Sequence, residues 1–249
     1  MATRDEMASS FGSAAGDYER GRPTYPDAAV AWLLAPAGPH PRVADVGAGT
    51  GKLTAALHDV GADVIAVEPD AAMLQTLRSA LPGVETLIGR AERMNLPDES
   101  LDAMVFGQAW HWVDVAAASA EAGRVLKPGG VLGLVWNIRD ESTSWVARLG
   151  AIMKGSHAEE LLAGEGPAVA APFATLEHES WQWSRRLTRA ELLAMVRSRS
   201  YIITAAPAER DRILVEVQEL FSASCRRGDD GVEVVDLPYR TEAFRSIRG

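Results

Sequence analysis

The chain has one cysteine, Cys225, in 249 residues. A single thiol excludes an intramolecular disulfide and any zinc site built on several cysteines. The five histidines, at 40, 58, 111, 157 and 178, show no metal-ligand spacing, so no metal is expected. No apolar run approaches the ~20 residues that a bilayer-spanning helix needs. The first residues, Met1 to Met7, lack the basic and then apolar pattern of a secretory leader. These absences point to the reducing cytoplasm. Basic charge is also in deficit, with 25 Lys and Arg against 34 Asp and Glu and a net charge of −9. A protein that holds nucleic acid through its phosphates usually presents a basic face. The basic spots here (Arg185-Arg186, Arg197, Arg199, Arg226-Arg227) are interspersed with acids and read as solvated helix faces. Neither nucleic acid nor membrane is an expected partner. Internal repeats are lacking as well, while hydrophobic residues, at 47%, suffice for a sizeable core.

What is present concentrates in the run Val43-Ala-Asp45-Val-Gly47-Ala48-Gly49-Thr50-Gly51-Lys52. It reads as a strand over 42–46, a three-glycine turn, and a helix from 50 to about 60. Alternate glycines let the backbone turn sharply and let a ligand approach the main chain. The helix adds free N–H groups and the positive end of its dipole. A second apolar strand over 63–67 ends on Glu68, about 20 residues downstream, where a carboxylate meets ribose hydroxyls in nucleotide-binding βαβ units. An adenosine-type ligand is expected. A dinucleotide turn would put its third glycine at position 52, which is lysine. Asp45, two residues before the first glycine, disfavours a pyrophosphate and suits a cationic group such as an amino-acid ammonium.

This D-x-G-x-G-x-G run resembles the first motif of the class I S-adenosylmethionine-dependent methyltransferases. Val64 to Asp70 with Met73 is similar to the second motif of that family, and Gly89-Arg90-Ala91-Glu92 before Leu96-Pro97 to the third. Leu101 to Phe106 resembles the fourth strand, and Arg124 to Val135 the helix end, turn and fifth strand. Phe11, Tyr18, Arg22-Pro23 and Tyr25-Pro26, with Gln108-Ala109-Trp110-His111-Trp112 and Val135-Trp136-Asn137, resemble the small-molecule branch that includes trans-aconitate methyltransferase relatives. The resemblance implies S-adenosyl-L-methionine as cofactor. It also implies a Rossmann-like, doubly wound α/β fold with a mostly parallel seven-stranded sheet and helices on both faces. Asp45 would lie near the methionine end, beside the turn of Gly47, Ala48, Gly49, Thr50 and Gly51. Glu68, Pro69 and Met73 would serve the ribose side, Ala91 and Glu92 the adenine, and Gln108 and Ala109 the end of the fourth strand. Tyr18 and Arg22 lie in a segment that folds over the cofactor in similar enzymes, and Arg22 suits a carboxylate of cofactor or substrate.

Alternation of strands and helices independently implies a parallel sheet covered on both faces. Ligands then bind at the carboxyl ends of the strands, where Asp45, Glu68, Ala91 and Gln108 all fall. The expected organisation is one domain over 1–249. Within it, 1–40 forms a cofactor-covering segment, 41–137 the cofactor-binding core, and 138–249 a part with a helical cap and the last strands. Helices over 143–162 and 188–226 are read as that cap, and 163–172 as an exposed small-residue linker. A strand is expected over 177–187, a capping box at Thr188-Arg-Ala-Glu191, and a helix with the stripe Ile213, Val217, Leu220 and Phe221. The last strand should cover 232–237. Asp236-Leu-Pro-Tyr239 departs from the D-P-P-Y of amino-group DNA methyltransferases and reads as a strand exit; Cys225 reads as core in a helical stripe.

A sulfonium methyl is already electrophilic, so such an enzyme mainly holds donor and nucleophile in line and excludes water. A general base is needed only where the acceptor carries a proton, and a carboxylate or hydroxyl acceptor differ in this. His111 is the candidate base, against a reading in which it shapes the pocket. Trp110, His111, Trp112, Asn137, Arg139, Arg199 and Tyr201 are candidate contacts for a small-molecule acceptor, the aromatics through an apolar or cationic group and the arginines through an acid. A cofactor-binding regulatory protein without turnover is the alternative. Intact Asp45, glycines and Glu68 favour the enzyme, and Lys52 disfavours a nicotinamide dehydrogenase.

Overall fold

A computed structural model describes residues 21–153, 157–228 and 230–249. The chain forms two compact units. The first comprises Thr24–Asn137, Leu161–Trp181 and Thr241–Gly249. Its elements begin with α1 (Asp27–Leu34), β1 (Arg42–Val46), α2 (Lys52–Asp59), β2 (Asp63–Glu68) and α3 (Ala71–Ala80). Then follow β3 (Glu85–Ile88), β4 (Leu101–Gly107), α4 (Val115–Val125) and β5 (Leu126–Arg139).

Strands β3-β2-β1-β4-β5 lie side by side and parallel. Continuous apolar runs make this possible, because a parallel sheet is covered on both faces and cannot alternate. Val64 to Val67 and Ala103 to Phe106 are buried without a break. Leu33, Leu53, Leu57, Val43, Val105, Val131 and Val135 pack in one core cluster. Asp45 stands opposite Ala66 on β2 and Val105 on β4, at the point where strand order reverses. The Asp70 carboxylate caps α3 through Ala72 and Met73, and Asp114 caps α4 through Ala117. No side chain caps α2, which starts directly from Gly51.

The second unit comprises residues up to Pro23, Ile138–Glu160 and Gln182–Arg240. It holds α5 (Ser144–Met153), most of β6 (Glu177–Thr188), α7 (Arg189–Arg197), α8 (Ser200–Ile203) and α9 (Pro207–Ser224). Between α5 and β6 comes α6 (His157–Ala163), and after α9 come β7 (Arg226–Arg227) and β8 (Glu233–Ile247). Thr188 and Glu191 make the expected reciprocal cap of α7. The expected stripe of α9 is buried, with Ile213, Val217, Leu220 and Phe221 joining Leu149, Leu192, Val196 and Leu237 in a second core cluster.

The sheet continues from β5 through β8 to β6, with the two-residue β7 also on β8. Gly129 N–H donates to Arg248 at 2.9 Å and Asp140 N–H to Pro238 at 3.0 Å, so β8 runs antiparallel to β5. The mostly parallel α/β fold is therefore as expected, with one short strand beyond seven.

Four expectations change. The helix over 143–162 is divided between α5 and α6, and 154–156 lie outside the described residues. The last strand extends to Ile247, so Asp236–Tyr239 is strand interior; Val235, Leu237 and Tyr239 are buried in alternation. The 163–172 segment is exposed at 163–165 but anchored beyond. Trp110 Nε1 donates to Ala168 O at 2.8 Å, Ala170 N–H donates to Ser119 Oγ at 3.0 Å, and Phe173 is buried. Cys225 is the C-cap of α9 rather than within it, half-buried and packed against the second core cluster.

Candidate active site

Gly47, Gly49 and Gly51 all adopt positive φ, at 72°, 57° and 94°. A Cβ on Gly47 would stand 2.7 Å from the Ala109 Cβ, so this turn is held directly against the end of β4. The N–H groups of Gly47 and Ala48 donate to Val67 O at 2.8 and 3.2 Å, tying the turn to β2. Beneath it, Asp45 is 1% exposed. Its Oδ2 accepts from Thr54 Oγ1 of α2 at 2.6 Å, while Oδ1 is buried without a hydrogen-bond partner. Burial pushes the Asp45 carboxyl up to about 7; the Thr54 hydrogen bond opposes that rise and the charge of Glu68 adds to it.

Glu68 closes the same turn from the next strand. Its Oε2 accepts from Gly49 N–H at 2.9 Å and its Oε1 from Asp70 N–H at 3.0 Å. Burial raises its pKa against those two hydrogen bonds. Each carboxylate oxygen has two acceptor sites, so one on each remains beyond these bonds. Two desolvated acids under a glycine turn make a site that favours a cationic, hydroxyl-rich ligand. Met73 is buried at the start of α3, while Pro69 is exposed. Ala91 is buried, and Glu92 Oε1 accepts from Asp114 N–H at 3.0 Å.

The end of β4 is the other side of the turn. Gln108 holds φ at 57°, an uncommon conformation for a residue with a side chain. Its N–H donates to Val135 O and its Nε2 to Asn137 O, both at 2.9 Å, which fixes that conformation. Such strain persists where surrounding bonds over-determine it, and it clusters at functional sites.

The chain belongs by sequence among proteins named for one activity. The methyltransferase domain family matches residues 44–134. An uncharacterised methyltransferase of Mycobacterium tuberculosis is 47% identical over 245 residues, covering 98% of each chain. The chain is a class I S-adenosylmethionine-dependent methyltransferase. A methyltransferase-like protein of Schizosaccharomyces pombe is 32% identical over 252 residues, covering 95% of this chain and 94% of its own. A structure described as a type II methyltransferase from Anaeromyxobacter dehalogenans superposes with a TM-score of 0.69 at 25% identity, over 91% and 97% of the two chains.

S-adenosylmethionine is thus the cofactor of this methyltransferase, and the first unit fits it. The buried Asp45 Oδ1 without a partner answers a cationic group, and the turn leaves main chain where a Cβ would crowd. The other expected residues divide. Trp110 is buried, edge-on to Phe106 at 4.7 Å, and bonded to Ala168. Asn137 is engaged within the chain: its Nδ2 donates to Thr24 O at 3.0 Å and its Oδ1 accepts from Thr241 Oγ1 at 2.6 Å. The His111 Nδ1 accepts from Trp136 Nε1–H at 3.2 Å, and its ring lies 4.8 Å from that of Trp112. An indole N–H only donates. The neutral imidazole therefore carries its proton on Nε2, which makes Nε2 a donor and argues against His111 as the base.

Arg22, Arg139, Arg199 and Tyr201 all belong to the second unit. Arg22 Nη2 donates to Ser198 O at 3.1 Å, and Arg139 Nη2 lies 2.7 Å from Glu159 Oε1. Arg197 is exposed on α7. Tyr18 lies outside the described residues. Sequence reasoning missed Thr54, Trp136 and Tyr239. Thr54 carries a usable signal, since a hydroxyl on the first turn of the helix after a glycine loop faces the strand it left. Among the described residues, no group of three or more His, Cys, Asp or Glu could hold a metal, and no helix is long and apolar enough to cross a membrane.

Proposed function

We propose that this methyltransferase transfers the methyl group to a small-molecule acceptor, a carboxylate or a hydroxyl, by in-line displacement. The observation that carries the reading is the buried acid pair under the glycine turn, with Asp45 Oδ1 unpartnered. Asp45 would hold the ammonium of the cofactor, the main chain of Gly47, Ala48, Gly49, Thr50 and Gly51 its amino-acid part, and Glu68 its ribose hydroxyls. Pro69 and Met73 would line the ribose side, and Ala91 and Glu92 the adenine. Bound there, the cofactor supplies an electrophilic methyl group. The chain's part is to orient: Gln108 and Ala109 hold the end of β4 rigid against the turn, and the packed Trp110 keeps water from that edge. His111 would donate a hydrogen bond from Nε2 to acceptor or leaving sulfur side, and Trp112 would supply an apolar wall. A carboxylate acceptor needs no base, which accords with a histidine held as donor. The acidic net charge favours a small-molecule acceptor over nucleic acid, and the enzyme is read as cytoplasmic.

Calorimetric titration tests the site. S-adenosylmethionine should bind and NAD should not, and Glu68→Gln should weaken binding about tenfold or more, since a hydrogen bond to a charged group contributes about 1.5–3 kcal/mol. Release of S-adenosylhomocysteine with a panel of small acids and alcohols then identifies the acceptor class. Tight NAD binding, or unchanged affinity in folded Glu68→Gln, would overturn the assignment.

A further inference from the structure

The second unit buries two guanidiniums, Arg139 and Arg199, and only the first has a carboxylate partner among the described residues. Arg199 is 7% exposed and makes no ion pair among the described residues. Its Nη2 points at Met195 Sδ at 3.5 Å and its Nε has no partner. A thioether is a weak acceptor, so this guanidinium is close to unsatisfied. Arg139, 3% exposed, spends one nitrogen on Glu159 and points another at Met153 Sδ at 3.7 Å, leaving Nε without a partner. The hydroxyls of Tyr201 and Tyr239 are also buried without partners.

These groups converge. Met153, Met195 and Tyr239 belong to one core cluster, with Tyr201 packed against it. Burial and the neighbouring charges of Arg22 and Arg139 push the Arg199 guanidinium down to about 10. The acids facing this cluster are Glu159, paired with Arg139, and Glu141. Buried cations normally have paired carboxylates, because an unpaired one forfeits its hydration. A guanidinium fork without a carboxylate, beside a paired one and two phenolic donors without acceptors, is the complement of an oxyanion. Arg139 stands two residues beyond Asn137 on β5, the strand whose Asn137 carbonyl holds Gln108.

We propose that Arg199, Arg139, Tyr201 and Tyr239 form a buried receptor for one oxyanion, a carboxylate or a phosphate. Binding of the anion does not rest on the methyltransferase reading above.

The test is thermal unfolding and calorimetry of the full chain with sodium malonate and inorganic phosphate, against sodium chloride at equal ionic strength. Malonate or phosphate should raise Tm saturably above the chloride control. Tyr239→Phe, which removes one hydroxyl and no volume, should weaken that affinity about tenfold. Arg199→Met should abolish the response while raising Tm without anion. S-adenosylhomocysteine affinity should be the same in all three proteins. A stronger malonate response assigns the site to a carboxylic acid, a stronger phosphate response to a phosphoryl group. Anion effects no larger than chloride, or a full response in Tyr239→Phe and Arg199→Met, overturn the receptor. Failure of S-adenosylhomocysteine to bind would count against the methyltransferase assignment and leave the receptor standing.

Discussion

Replacing Asp45 with asparagine should separate the stability of the unliganded protein from its affinity for the cofactor, and in opposite directions. The carboxyl is 1% exposed, with Oδ2 bonded to Thr54 and Oδ1 to nothing. Burial lifts its pKa from an ordinary 3.8 to about 7. A carboxyl whose folded pKa lies above its unfolded value favours the fold while protonated. That contribution is complete below about pH 4 and is lost as pH rises through about 7. A rise of this size corresponds to at most about 4 kcal/mol of lost stability at pH 8. Asparagine keeps the volume and the acceptor for Thr54 but cannot ionise. Its amide N–H2 would stand where Oδ1 now lacks a partner, at a cost of about 1–3 kcal/mol. The net gain at pH 8 is then about 1–3 kcal/mol, and the loss of stability between pH 5 and 8 flattens. Affinity should move the other way. Losing the counter-ion of the ammonium weakens binding about ten- to a hundredfold. In the native protein, only about one-tenth of Asp45 is ionised at pH 6, so affinity there should be about tenfold weaker than above pH 8. The variant should lack that slope. Urea unfolding and calorimetry across pH 5–8 read both quantities. An asparagine variant that is less stable at pH 8, or that keeps native affinity and its pH slope, would refute the reasoning.

Three further outcomes follow from the same geometry. Nitrogen-15 NMR of the imidazoles should show His111 protonated on Nε2 in its neutral form, with Trp136→Phe relaxing that tautomer; a neutral Nδ1–H ring would restore the candidate base. Gly47→Ala meets both a φ of 72° and a Cβ contact of 2.7 Å at Ala109, so it should cost at least about 1–2 kcal/mol in urea unfolding and weaken S-adenosylhomocysteine binding. Limited proteolysis should cut at the exposed 163–165 before 168–173, and Trp110→Phe, which frees the Ala168 carbonyl, should extend cleavage into the second stretch.

Much of this was legible in the sequence, for identifiable reasons. The strands at 42–46, 63–67 and 101–106 lie at nearly their true bounds in the sequence because unbroken apolar runs and the glycine turn are local signals. The capping box at Thr188 and the stripe of α9 are local too. What escaped depends on partners far along the chain. Asn137 and Trp110 look like pocket residues by position, yet Thr24, Thr241 and Ala168 engage them across long sequence separations. His111 has the right chemistry for a base, and only the indole of Trp136 decides its tautomer. The 163–172 stretch has linker composition, but small residues also let a segment lie close, and Pro172 fits where Gly123 has no Cβ. Asp236–Tyr239 invites comparison with a motif it does not match, while the alternation of β8 that buries Tyr239 carries the usable signal.

Two buried charges stand out against ordinary practice in folded chains, an acid in one unit and a cation in the other. Asp45 has an oxygen without a donor, and Arg199 has a guanidinium without a carboxylate. A core selected for stability alone would replace either with an apolar side chain, since an unpaired buried charge is among the costliest features a fold can hold. Asp45 stands in register with Ala66 and Val105 and is bonded to Thr54, and Arg199 points at Met195. Among the described residues neither group finds that partner. On the proposed reading the cofactor's ammonium would answer the first. The proposed oxyanion would answer the second, as a charge-matched partner for a buried guanidinium. Strain of this kind is retained where ligand binding relieves it, and the unliganded enzyme is less stable than its fold would otherwise allow.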